Sequence, residues 1–240
     1  MVDWESERKT GRRVPFPRWG MLGAAVAVAL MVVVSAHVWS ALPDPVVTDT
    51  GVDGRVAGTV PRWFFVSIMP LATLTLGGKF ALVSVVGSAV QRASGLRVPW
   101  PEPVLGRALN LFLLLMALLL AVIHTVMLHH EAGRELPPST DHLMVLTMAS
   151  FLSGTGLIVL LLRQEGEPDT LLSRWWSRAR GPVAGGILLV GAATAAAGLL
   201  FPDPVVAAYL VGLVNPAVLA GCAFPFLWNR EWRRKSEDDS

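Results

Sequence analysis

The sequence predicts an all-α fold, a polytopic transmembrane helix bundle of six spans with both termini cytoplasmic. Three observations predict it. Runs free of Asp, Glu, Lys and Arg cover residues 19–43, 63–78, 108–130, 142–162, 181–202 and 204–229. Lys and Arg gather on alternate connections between those runs. Only 16% of the 240 residues are charged and 53% are hydrophobic, with a mean hydropathy of +0.54. A soluble domain carries about a quarter charged residues.

Crossing a hydrocarbon core of about 30 Å takes roughly 20 helical residues. Five runs meet that length unaided, and the second does so only by accepting Lys79 inside the membrane and joining residues 80–91. The runs divide the chain into a basic cytoplasmic tail (1–18), a two-helix membrane unit (19–91), a four-helix membrane unit (104–229) and a charged cytoplasmic tail (230–240). A basic start ahead of residues 19–43, with Val34-Ser35-Ala36 inside them, also has the form of a cleavable signal. The uncharged stretch outruns a signal core, so it is read as a retained span.

Orientation follows from the cations. Arg8, Lys9, Arg12, Arg13 and Arg18 precede the first span, and Arg92, Arg97 and Arg107 fall in the second connection. Arg163, Arg174, Arg178 and Arg180 occupy the fourth, and Arg230, Arg233, Arg234 and Lys235 follow the last span: sixteen on one side. The remaining connections hold Arg55, Arg62 and Arg134, which is three. Cationic short loops stay cytoplasmic, so the number of crossings is even. Tryptophans concentrate at the predicted boundaries, where an apolar ring with a polar N–H belongs. On that basis the stretch Thr170 to Arg180 predicts a short helix lying on the cytoplasmic surface.

Local chemistry marks the helix ends. Ser139 or Thr140 suits the N-cap of the fourth span, and Pro182 the first turn of the fifth. Gly and Ala crowd residues 184–198 and predict a close-packed, central fifth span. The pentapeptide Pro-Asp-Pro-Val-Val occurs at residues 43–47 and again at 202–206, one capping solution used twice. Cys222 stands alone and reads as a small apolar packing residue.

The loop after the first span reads Leu42-Pro43-Asp44-Pro45-Val46-Val47-Thr48-Asp49-Thr50-Gly51-Val52-Asp53-Gly54-Arg55-Val56-Ala57-Gly58-Thr59-Val60-Pro61-Arg62-Trp63. Its prolines, glycines and aspartates predict an ordered, turn-rich loop on the outer face. The carboxylates of Asp44, Asp49 and Asp53 can gather a cation or a basic peptide, or can serve as a solvated connection. This loop resembles the membrane domain that opens SdpI-type proteins, in which Leu-Pro-Asp, Thr-His, Gly, Asp-Gly and Lys follow a first helix. Leu42, Pro43, Asp44, Thr48, Gly54 and Gly58 match, and Arg62 replaces the basic Lys. Asp49 stands where the family has His, and Ala57 where it has Asp. The resemblance covers roughly residues 20–90, about a third of the chain, and does not extend clearly into residues 104–240.

It implies a multi-pass protein of the bacterial inner membrane that acts by binding: immunity to a secreted toxic peptide, or membrane signalling through a protein partner. The outer loop, with Asp44, Asp49, Asp53, Gly54, Gly58 and Arg62, would face the ligand.

Other polar residues each carry two readings. Lys79, deep in the second run, is a functional intramembrane cation or a side chain that snorkels to the inner headgroups. Asn110 and Asn215 (before Pro216) are helix-to-helix hydrogen-bonding groups, or with Lys79 and His124, which lies one to two turns deeper than the outer histidines, they line the path of a small transporter. His129, His130, Glu131 and His142 end on one side of the membrane and could share a divalent metal, although the spacing matches no defined zinc motif and a polar loop is the ordinary reading. A third expectation is an accessory subunit of a larger membrane complex. No nucleotide-binding loop, nucleophile elbow or metalloprotease helix occurs. Neither enzymatic activity nor a cofactor is expected, and the basic residues point to lipid headgroups rather than nucleic acid.

Overall fold

The computed structural model describes residues 14–50, 56–94, 100–134, 139–163, 171–200, 209, 212–214 and 216–223. Its elements in order are α1 (Arg18–Val38), a 3-10 turn (Trp39–Ala41), β1 (Val46–Thr50), β2 (Val56–Val60), α2 (Arg62–Ser94), α3 (Glu102–Glu131), α4 (Thr140–Leu161) and α5 (Leu171–Leu200). Five of the helices are long and apolar enough to cross a membrane. Most of the last predicted span lies outside the described residues, but 216–223 are helical.

We call the two ends of the bundle the hairpin end and the basic end. Helix α3 is the hub, with extensive contacts to α1, α2 and α4. Helix α1 runs parallel to it. Gly20 meets Asn110 near the basic end and Ser35 meets His124 toward the hairpin end. A Cβ on Gly20 would lie 3.0 Å from the Asn110 carbonyl oxygen, so the seam needs glycine there. Met31, Ala24, Ala27, Leu113 and Ala117 form its apolar centre.

The most extensive pair is α4 with α5. A Cβ at Gly191 would sit 2.8 Å from Ser153 Oγ, and one at Gly156 would sit 3.2 Å from the Ala184 carbonyl oxygen. Small residues let helix backbones approach in lipid, where association rests on close packing. The far side of α5 packs on the last described segment. Gly186 faces Ala217 and Val183 faces Gly221, so residue numbers fall along one element as they rise along the other. Small residues thus mark two tight seams, one on either side of α5, which packs between α4 and the last described segment as α3 packs among α1, α2 and α4.

Two expectations about the start of the fifth span change. Residues 171–180 are no separate surface helix, because α5 runs unbroken through Pro182. Trp176 Nε1 donates to the Leu162 carbonyl (2.8 Å) and Arg180 Nη1 to that of Leu160 (3.3 Å), which ties this stretch to the end of α4. Pro182 is therefore an interior residue, tolerable because proline removes one ladder hydrogen bond without ending a helix held by its neighbours.

Lys79 lies toward the basic end of α2. Gly77 faces the Met21 side chain, one turn inside Arg18 and Trp19, so Lys79 lies level with the start of α1 and is exposed. From Arg62 to Lys79 the helix rises about 25 Å at 1.5 Å per residue. The apolar continuation of α2 then runs past the start of α1, accompanied by residues 14–17. Ser84 Oγ and Ser88 Oγ donate to the carbonyls of Pro15 (3.1 Å) and Val14 (3.3 Å).

Candidate functional site

The connection read as a turn-rich loop is a β-hairpin. Strands β1 and β2 pair antiparallel, Val46 with Val60, Val47 with Thr59, Asp49 with Gly58 and Thr50 with Val56, with register shifts on either side of Asp49. β-branched residues at 46–48 and 59–60 around an Asp-Gly dipeptide are a recognisable hairpin signal. The flanking prolines and glycines obscure it.

An isolated two-stranded hairpin is marginal in water. Here one face is anchored. Val46 is fully buried and joins Val38, Leu42, Phe65 and Leu128 in a cluster where α1, α2 and α3 end, with Val60 packed against it. Val47, next along the strand, points the other way and is 39% exposed.

Arg62 ties the base. Its backbone N–H donates to Asp44 Oδ1 (3.3 Å), its Nη1 to the Trp39 carbonyl (3.1 Å) and its Nε to the Pro43 carbonyl (3.4 Å). The guanidinium carbon stands 5.4 Å from the centroid of the Trp39 ring. Arg62 is the first residue of α2, so Asp44 accepts from one of the orphan N–H groups at that helix start. Two of the predicted ligand-facing residues, Asp44 and Arg62, are thus brought together and engaged within the chain. Gly58 lies in β2 opposite Asp49, whereas Asp53 and Gly54 fall outside the described residues.

The intramembrane polar residues separate into different roles. Asn110 Oδ1 accepts from the Gly20 N–H at 2.7 Å, and its amide donates to the Gly106 carbonyl at 2.7 Å. His124, 2% exposed, places Nε2 at 2.9 Å from Ser35 Oγ and 3.2 Å from the Met31 carbonyl oxygen. The Ser35 hydroxyl donates to that carbonyl at 2.8 Å, so Nε2 carries the proton and donates to Oγ; this tautomer is assigned from the network. Both residues therefore face α1 from α3. Lys79 is on the exposed surface of α2, and Asn215 lies outside the described residues. Sequence reading missed Ser35, whose only signal is a hydroxyl within an uncharged run that also holds His37 and Ser40.

The histidines do not converge. His129 Nδ1 lies 2.8 Å from the Thr125 carbonyl of its own helix, and His142 Nδ1 lies 2.7 Å from Ser139 Oγ. Ser139 is the N-cap residue of α4, as predicted, but its hydroxyl makes no cap hydrogen bond. Among the described residues no three His, Cys, Asp or Glu side chains come together as a metal site, so His129, His130, Glu131 and His142 form no cluster.

What the hairpin end presents is a two-stranded sheet tied at its base by Arg62 and Val46, with strand edges to which an extended segment can hydrogen-bond. No family model, curated protein or solved structure matches the chain.

Proposed function

We propose that this chain is a six-span protein of the bacterial inner membrane, both termini cytoplasmic, that acts by binding at its hairpin end rather than by catalysis. The observation carrying the reading is the hairpin itself, docked through Val46 and clamped by Arg62. A polar connection that merely joins two helices has no need of a buried anchor, whereas a recognition surface gains from being held in one conformation. The uneven division of cations supports the orientation. The antiparallel course of residues 216–223 along α5 supports an even number of crossings.

The SdpI-like character of residues 20–90 supports a role in peptide immunity or membrane signalling. With Asp44 and Arg62 engaged internally, the ligand meets the exposed strand residues and the carboxylates of Asp49 and Asp53. A secreted basic peptide is the matching partner, since aspartates outnumber the single arginine of residues 44–60.

The test is to delete the gene and challenge the cells with a panel of peptides secreted by related strains. Increased sensitivity, restored by the intact chain but not by one carrying Val46→Asp, is the expected result. Unchanged sensitivity across the panel rejects immunity. An impermeant thiol reagent that fails to label a cysteine placed at Asp53 in intact cells rejects the orientation.

A further inference from the structure

At the basic end two buried hydrogen-bond donors have no acceptor among the described residues. Trp100 Nε1 and Arg180 Nε are both inaccessible and unpartnered. They share a neighbour. The Trp100 and Trp176 rings meet edge-on with centroids 5.5 Å apart, and Arg180 follows Trp176 by one turn of α5. The other tryptophans' donors nearby are met, Trp176 by the Leu162 carbonyl and Trp175 by that of Cys222.

Arg180 is the sharper anomaly. It is a half-buried cation whose one hydrogen bond among the described residues is Nη1 to a neutral carbonyl, that of Leu160 at 3.3 Å. No carboxylate among the described residues pairs with this guanidinium; its Nη1 end is exposed but its Nε is buried, and a buried N–H left without an acceptor is expensive. Glu102, near Trp100 at the start of α3, is exposed and supplies neither donor with an acceptor. Arg163, Arg174, Arg178 and Arg107 are exposed around the same end.

We infer that Trp100 and Arg180 form a binding site for the phosphate of an anionic phospholipid. A phosphodiester supplies a negative charge that no described residue gives Arg180, and several acceptor oxygens, enough for both unmet N–H groups. The lipid origin of the phosphate follows from position. Leu157, Leu160 and Leu161 on α4 are 54%, 41% and 51% exposed, so an apolar surface leads away from the guanidinium for the acyl chains. Basic pockets between helices at a cytoplasmic boundary are a recurrent way of holding anionic headgroups. The site is remote from the hairpin and does not depend on what binds there.

The full chain, exchanged into micelles with equal parts phosphatidylglycerol and phosphatidylcholine, is examined by native mass spectrometry. Phosphatidylglycerol should be retained over phosphatidylcholine by about tenfold. Arg180→Gln should remove that preference, Trp100→Phe, which keeps the ring but not its donor, should reduce it by about fivefold, and Arg174→Gln on the exposed face should leave it intact. Arg180→Lys, which keeps the charge without the Nε donor, serves should the glutamine variant not fold, and it should also weaken the preference. Equal retention of the two lipids overturns the proposal, as does a preference untouched by both Trp100→Phe and the Arg180 variants. Displacement of phosphatidylglycerol by inorganic phosphate alone shows a site for a soluble anion and overturns the lipid assignment.

Discussion

Replacing His124 by leucine tests what holds α1 to α3. The substitution removes the Nε2 contacts to Ser35 Oγ at 2.9 Å and the Met31 carbonyl at 3.2 Å. It orphans nothing, because the Ser35 hydroxyl keeps the Met31 carbonyl at 2.8 Å. Hydrogen bonds between membrane helices are worth about 0.6 kcal/mol on average and reach about 1.7 kcal/mol. Exchanging one side chain for another of similar volume adds at most about 1.5 kcal/mol of repacking. The expected loss is therefore about 1–3 kcal/mol, far from unfolding. Reversible unfolding in mixed micelles of nonionic detergent and dodecyl sulfate, followed by helicity, measures it. A double-mutant cycle with Ser35→Ala isolates the pair, whose coupling should be about 0.6–1.7 kcal/mol. A coupling of zero, or a loss for His124→Leu above about 4 kcal/mol, refutes the argument.

Other outcomes follow from single contacts. Gly191→Val drives a side chain into Ser153, 2.8 Å from where its Cβ would stand, and should cost about 1–3 kcal/mol in the same unfolding assay. Gly185→Ala, with open space around it, should be neutral or stabilising by up to about 1 kcal/mol; equal losses at the two positions would contradict the packing of α4 on α5. Arg62→Gln removes the guanidinium from the Trp39 and Pro43 carbonyls and the Trp39 ring, so limited proteolysis should cut the hairpin faster while overall helicity is kept. Val46→Asp buries a carboxylate in the cluster that seats the hairpin and should undock it, read as greater hydrogen exchange in β1 with α4 and α5 unaffected.

How much was legible depends on the range of the physics. The apolar runs map onto α1 to α5 because transfer of a 20-residue stretch into lipid is a local property of that stretch. The second run shows the limit. Residues 63–78 looked too short without Lys79, yet Gly77 against Met21 places Lys79 level with the start of α1. No property of residues 63–91 alone sets that alignment. Ser139, one of the two residues offered as the helix start, holds that place, although its hydroxyl serves His142 instead of the helix. Pro182 and residues 171–180 were misread because their helix is held by carbonyls of α4, which are distant in sequence. Asn110 and His124 were identified as polar residues within apolar runs, but their partners on α1, ninety and eighty-nine residues away, were not.

The sequence by itself determined that the chain is built of long apolar helices, and its cations argue for how those helices thread. Both are sums over neighbouring residues, because lipid acts on each helix as a solvent. Only the tertiary structure decided that α3 is the hub, that the loop after α1 is a hairpin seated on three helix ends, and that Arg180 and Trp100 keep donors unmet among the described residues. Those depend on which surfaces meet, and interhelical contact in lipid is chosen by close packing and a few directional hydrogen bonds. Neither can be read from one strand of text until the partner surface is known.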